Sequence, residues 1–158
     1  NITVTVTVQK ISVAVAPDTL AFNTVAQGAV VINGTTVTVT NDGNIQEDLQ
    51  LNYSYAGSWE KVANDTPGTD QFDIRALFAA NLGGLANADF TVADDSLSLS
   101  ATTATADAFA RTADSAGVKG YDVGNGTSRN LYIQFRAPSG NTVTGEQSIT
   151  VTVTAVAG

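Results

Sequence analysis

Polar and apolar residues alternate along much of this chain with a period of two. Ile2-Thr3-Val4-Thr5-Val6-Thr7-Val8 alternates without a fault, as do Val37-Thr38-Val39-Thr40 and Leu49-Gln50-Leu51-Asn52-Tyr53-Ser54-Tyr55. Further on come Phe72-Asp73-Ile74-Arg75, Leu97-Ser98-Leu99, Leu131-Tyr132-Ile133-Gln134-Phe135-Arg136 and Ile149-Thr150-Val151-Thr152-Val153-Thr154. Successive strand side chains point to opposite faces, so each segment predicts a strand with one dry face and one polar face. Thr, Val, Ile and Tyr suit such a half-buried pleated surface. Two sheets of this kind, dry faces together, make an antiparallel sandwich.

The turn residues agree. Asn33-Gly34, Asn41-Asp42-Gly43-Asn44, Pro67-Gly68, Gly83-Gly84, Gly124-Asn125-Gly126 and Ser139-Gly140-Asn141 punctuate the apolar runs. Asn33-Gly34 predicts a tight hairpin or a bulge. Two stretches break the alternation. Residues 75–88 carry Leu77, Phe78, Leu82 and Leu85 at loosely helical spacing, and residues 101–117 are rich in Ala, Thr and Asp around Phe109. Both read as long excursions from the sandwich, and covering an open sheet edge is favoured over ligand binding.

The leading strand changes phase. Ile2, Val4, Val6 and Val8 hold even positions, whereas Ile11, Val13 and Val15 after Gln9-Lys10 hold odd ones. A one-residue shift turns the apolar set to the other face, so one straight strand cannot bury both sets against one core. Two readings follow. In the first, the strand crosses between the two sheets of its own domain at Gln9-Lys10. In the second, residues 1–8 leave the domain and complete the sheet of a neighbour by strand addition. Burial of Ile2, Val4, Val6 and Val8 in a neighbour's groove is worth about 6–10 kcal/mol before ordering costs.

Composition narrows the chemistry. The 158 residues make one domain of ordinary size. Cys, Met and His are absent, which removes disulfides, thiolate and imidazole metal sites and histidine acid–base chemistry. The net charge of −8, and the dispersal of Lys10, Lys61, Arg75, Arg111, Lys119, Arg129 and Arg136, disfavour nucleic acid and anionic lipid as partners. No apolar run approaches the ~18 residues of a membrane span. The chain opens on Asn1 rather than Met, and its composition is that of an exported surface protein, so a removed secretory segment is expected. Asn1, Asn33, Asn52, Asn64 and Asn125 stand in Asn-x-Ser/Thr sequons and are candidate glycan acceptors.

The run from Pro17 to Gly43 resembles bacterial immunoglobulin-like surface modules. Their opening F-G-x-V-x-x-G is matched at Phe22, Val25 and Gly28, with Asn23 in place of the usual small residue. The following V-x-V-x-N-x-G is matched at Val37, Val39, Asn41 and Gly43. This resemblance covers about a sixth of the chain; it implies an immunoglobulin-like sandwich and no particular ligand. By architecture alone, the whole chain is also similar to secreted donor-strand filament subunits of the TasA and archaeal bundling-pilus kind. No motif carries that second resemblance.

Other candidate sites are weaker. Asp42, Asn44, Glu47 and Asp48 share one turn and carry Ca²⁺-type oxygens, but their spacing is not that of a calcium loop. Asp94-Asp95 and Asp65/Asp70 are weaker again. Asp73, Glu60 and Glu146 offer carboxylates for a glycosidase pair, but nothing in the sequence places any two of them at a catalytic separation. Trp59, Tyr53 and Tyr55 suggest a sugar-stacking platform, yet alternation places the two tyrosines on the core face with Leu49 and Leu51. The expectation is therefore an all-β, immunoglobulin-like or jelly-roll sandwich over residues 10–158, preceded by a donor or crossover strand over residues 1–9. Its expected role is that of a non-enzymatic subunit of an extracellular filament, self-assembling without a cofactor. Ile2, Val4, Val6 and Val8 would insert beside Val151 and Val153 of the next copy. The alternative is a monomeric surface module that recognises polysaccharide through loops 75–88 and 101–117.

Overall fold

A computed structural model describes Thr3 and residues 5–158. Nine strands form among them: β1 Val13–Ala16, β2 Val30–Ile32, β3 Val37–Asn41, β4 Glu47–Tyr55, β5 Glu60–Lys61, β6 Gln71–Phe78, β7 Thr102–Thr103, β8 Ser128–Arg136 and β9 Ile149–Ala157. The larger sheet has the order β1-β3-β8-β6-β5, with β2 also on β8; the smaller is β7-β4-β9. All ladders are antiparallel except the short β5–β6 pair. The protein is thus an all-β sandwich of two packed sheets.

The core lies where the alternation puts it. Val37 and Val39 from β3, Leu49, Leu51 and Tyr53 from β4, and Leu131, Ile133 and Phe135 from β8 meet between the sheets. The three aromatics considered as a stacking platform are part of this packing. Tyr55 lies edge-on to Phe72 with centroids 5.1 Å apart, and Trp59 stacks on Phe135 at 6.2 Å.

Two expectations change and one is narrowed. Arg75–Phe78 belong to β6, in the large sheet, and the excursion begins only after them. Phe72 through Ala79 are buried without exception, because this sheet is covered on both faces. Leu77, Ala79, Phe90 and Tyr132 form a second apolar cluster on its outer side, with Leu82 and Leu85 packed over them. A strand buried on both faces loses its alternation and mimics a helix. Asn33-Gly34 makes a bulge rather than a hairpin: β2 and β3 run along the same neighbour, and Asn33 Oδ1 accepts the Ile133 N–H at 2.6 Å across the interruption. Leu97-Ser98-Leu99 is a bridge between layers rather than a strand. The Leu97 N–H donates to Ile74 in the large sheet, and the Ser98 carbonyl accepts from Tyr53 in the small one.

Charge fastens the excursions to the large sheet. Buried Asp73 accepts from Arg75 Nε at 2.7 Å and Ser96 Oγ at 3.0 Å, and pairs with Lys61 Nζ at 3.2 Å. Arg75, 1% exposed, also donates to the carbonyls of Phe90 at 2.8 Å and Asn64 at 3.0 Å. Every partner is used, which is what makes a buried ion pair tolerable. Asp95 is less well served. One of its oxygens accepts the Thr91 N–H at 2.7 Å, and the other is buried without a partner.

Burial pushes the Asp95 carboxyl up to about 7 from the ordinary 3.8. A folded value above the unfolded one means that the fold is favoured with Asp95 neutral. That contribution is complete below pH 4 and is lost as the pH rises to about 7. Asp95→Asn keeps an acceptor for Thr91 and removes the ionisation. Thermal melts across pH 4–8 should show the variant gaining about 1–2 kcal/mol over wild type at pH 8, with no advantage at pH 4.

Candidate functional site

The outer edge of the small sheet is the place where the fold is incomplete. On its inner side β4 is fully served: the N–H groups of Glu47, Leu49 and Tyr53 donate to Val123, Gly120 and Ser98. These bonds fix the parity of the ladder. Odd residues of β4 face away from β9, so Asp48, Gln50, Asn52 and Ser54 face it. Their partners are Val156, Thr154, Thr152 and Thr150. In an antiparallel pair, alternate residues direct N–H and C=O away from the partner. Ile149, Val151, Val153 and Ala155 therefore turn theirs outward. Among the described residues, β9 pairs with β4 and with no other strand.

The same four residues face the core. They lie opposite Tyr55, Tyr53, Leu51 and Leu49 and pack against the main cluster. Three of them, Val151, Val153 and Ala155, are less buried than their partners. Leu49 and Leu51 are 0% exposed, whereas all four β9 residues remain half-buried. A core-facing row that stays half exposed lacks a neighbour on one side. Beside it runs an open groove of about 740 Å³, whose lining includes Val15 of β1, Val25, Trp59, Ile133, Phe135 and Val151. On the far wall, the Ser12 carbonyl accepts from the Asp42 N–H. By the same parity, Val13 and Val15 send their backbone groups away from β3.

The leading residues pair with neither sheet. Thr3 and residues 5–10 are exposed and form no ladder, and Val6 and Val8 are 81% and 79% exposed. An internal crossover at Gln9-Lys10 is thus not formed by the described residues. Ile2, Val4 and Asn1 lie outside them. Val6 and Val8 share one parity, with Thr5 and Thr7 on the other.

The remaining candidates are dispersed. Asn44 binds the leading segment, Asp48 Oδ1 accepts the Asp122 N–H at 2.8 Å, and Asp42 uses its main chain. Among the described residues no group of three acidic side chains converges on a cation position. Asp73 is sealed in its ion network, Glu60 accepts from Gln71 on the surface, and Glu146 lines the groove. Of the described sequons, Asn33 is 4% exposed with both ends of its amide engaged, by Ile133 and by the Thr35 carbonyl. Asn52 and Asn64 are half-buried, and Asn125 is exposed while donating to the Gly43 carbonyl. No described helix is long and apolar enough to cross a membrane. Compared with protein-family models, curated proteins and solved structures, the chain matches none.

The open edge was partly visible in sequence, since Val151 and Val153 alternate within the last strand. That they stand at an edge was not, because strand order depends on contacts far apart in the chain. Amide hydrogen exchange reads the parity directly. In the isolated subunit the Thr150, Thr152 and Thr154 amides should be protected, and those of Val151 and Val153 should exchange at least about tenfold faster.

Proposed function

We propose that this protein is a structural, non-enzymatic subunit that polymerises by strand donation: the leading residues of one copy fill the groove beside β9 of the next. One observation carries the reading. The chain holds both halves of an unmade contact, an exposed leading segment whose valines share one parity and a core-facing edge row left half exposed. Val6 and Val8 would seat beside Val151 and Val153, each contributing about 1.5–3 kcal/mol on full burial. The outward backbone groups of β9 would take the donor's N–H and C=O groups. Thr5 and Thr7 would face solvent.

The geometry favours a linear product. Ser12 is bonded to Glu47 at one end of β4, where Glu47 pairs with Ala157. The groove extends from Val15 and Val153 toward Trp59, Asn141 and Ile149 at the other end, where Tyr55 pairs with Ile149. These ends are separated by the length of a nine-residue strand, about 27 Å. A donor that leaves one pole and a groove that opens toward the other make a head-to-tail contact, which propagates where a two-fold contact would close. An exported, extracellular filament, immunoglobulin-like in ancestry and optionally glycosylated, is the setting we infer. The charge of −8 on each subunit limits non-specific clumping there.

Deletion of residues 1–8 tests this. The truncated protein should keep a β-rich circular dichroism spectrum, stay monomeric by light scattering, and capture a synthetic 1–8 peptide. Val6→Asp with Val8→Asp in the intact chain should reduce polymer by at least about 100-fold, since charge must then enter an apolar groove. An intact chain that remains monomeric at high concentration, with a glycan-dependent thermal shift, would instead support the surface-binding module.

A further inference from the structure

The point where the leading segment leaves the domain is held by one side chain. Asn44 Nδ2 donates to the Val8 carbonyl at 2.8 Å, and Asn44 Oδ1 accepts the Lys10 N–H at 2.7 Å. The Asn44 main-chain N–H adds a third bond, to the Lys10 carbonyl at 3.0 Å. A carboxamide carries one donor group and one acceptor group, as a peptide unit does. Asn44 therefore acts as a strand partner one residue long and holds Val8–Lys10 extended. Behind this grip, the Ser12 N–H donates to Glu47 Oε1 at 2.8 Å, the Asp42 N–H donates to the Ser12 carbonyl at 3.1 Å, and Lys10 Nζ donates to the Asp42 carbonyl at 3.2 Å. Glu47 is 0% exposed, so the post is rigid. Gly43 is required beside it, because a Cβ there would collide with Glu47 Oε1 and the Lys10 carbonyl.

The grip matters because the groove has two possible sources of a strand. One is a second copy. The other is the chain's own leading segment, turned back at residues 9–12 to lie in the groove beside β9. The outward edge of β9 exposes backbone groups, so a segment closing there would satisfy them and leave a sealed monomer. Closure requires Val8–Lys10 to reverse direction, and that breaks the two bonds made by the Asn44 side chain.

Resting on the strand-donation reading above, we propose that Asn44 is the positioning residue that directs the leading segment away from its own groove and into a second copy. It lies outside the groove lining and bonds the last donated residue, Val8, through the main-chain carbonyl. It sets the balance between closure in cis and donation in trans.

The test is Asn44→Ala in the full chain, with the 1–8 deletion as reference. Light scattering should show about tenfold more protein in the monomer pool at equal total concentration, the factor for losing two exposed hydrogen bonds. Those monomers should have protected Val151 and Val153 amides, in contrast to the fast exchange expected of wild-type monomers. Asn44→Asp, which keeps the acceptor for Lys10 and loses the donor to Val8, should fall between. Asn44→Ala placed in the 1–8 deletion should capture the 1–8 peptide as well as the deletion alone, because the groove is untouched. Should Asn44→Ala fail to fold, a Gly-Gly insertion between Lys10 and Ile11 supplies the same slack with Asn44 in place, and should give the same shift to sealed monomers. Polymerisation at the wild-type level by Asn44→Ala or by the insertion variant overturns the role of Asn44, while strand donation stands. Polymerisation by the 1–8 deletion overturns strand donation itself.

Discussion

The structure turns on a missing neighbour. Ile149, Val151, Val153 and Ala155 face the core of a sandwich, yet among the described residues no strand pairs with their outer side, and their backbone groups point toward the groove. Open edges are hazardous because they pair with whatever strand arrives. At two other edges the fold removes that hazard. The inner edge of β4 is occupied by residues 98–104 and 120–123, and the edge of β6 by residues 96–97 and 109–111. Care spent on those edges makes the open one stand out.

The irregular half of the chain is therefore structural. The excursions through residues 79–98 lie over the outer face of the large sheet, and those through 101–123 line its edges and those of the small one. Arg75 and Asp73 tie the first group down from beneath. A charge pair of this kind is strongly directional, and removal of one partner would strand the other in an apolar setting. The groove keeps its shape because the remainder of both sheets is braced.

Legibility in the sequence followed local physics. Strands with one wet face, β3, β4 and β9, declare themselves through alternation, because solvent on one side selects Thr, Ser, Gln or Asn at every second position. Strand β6 conceals itself: Ala76, Leu77 and Phe78 are buried on both faces, so no polar residue marks the period. The phase change at Gln9-Lys10 falls where the described chain passes from the exposed residues 5–10 to the half-buried β1. It carried no sign of Asn44, which lies 34 positions beyond Lys10 and reads as an ordinary turn residue. Edge position, groove and grip all arise from contacts distant in sequence, where residue type says little about partner.

One consequence concerns force. The ladder between β4 and β9 runs in register over nine residue pairs, from Glu47–Ala157 to Tyr55–Ile149. In a chain of subunits linked as proposed, tension enters a subunit near Ser12 and Glu47 and leaves through a guest strand lying alongside β9. The pull then acts lengthwise along the ladder. Its hydrogen bonds are loaded in shear and share the stress, where a pull at right angles would open them one by one like a zip. A fibre built this way would resist stretching far better than its modest per-contact energies suggest.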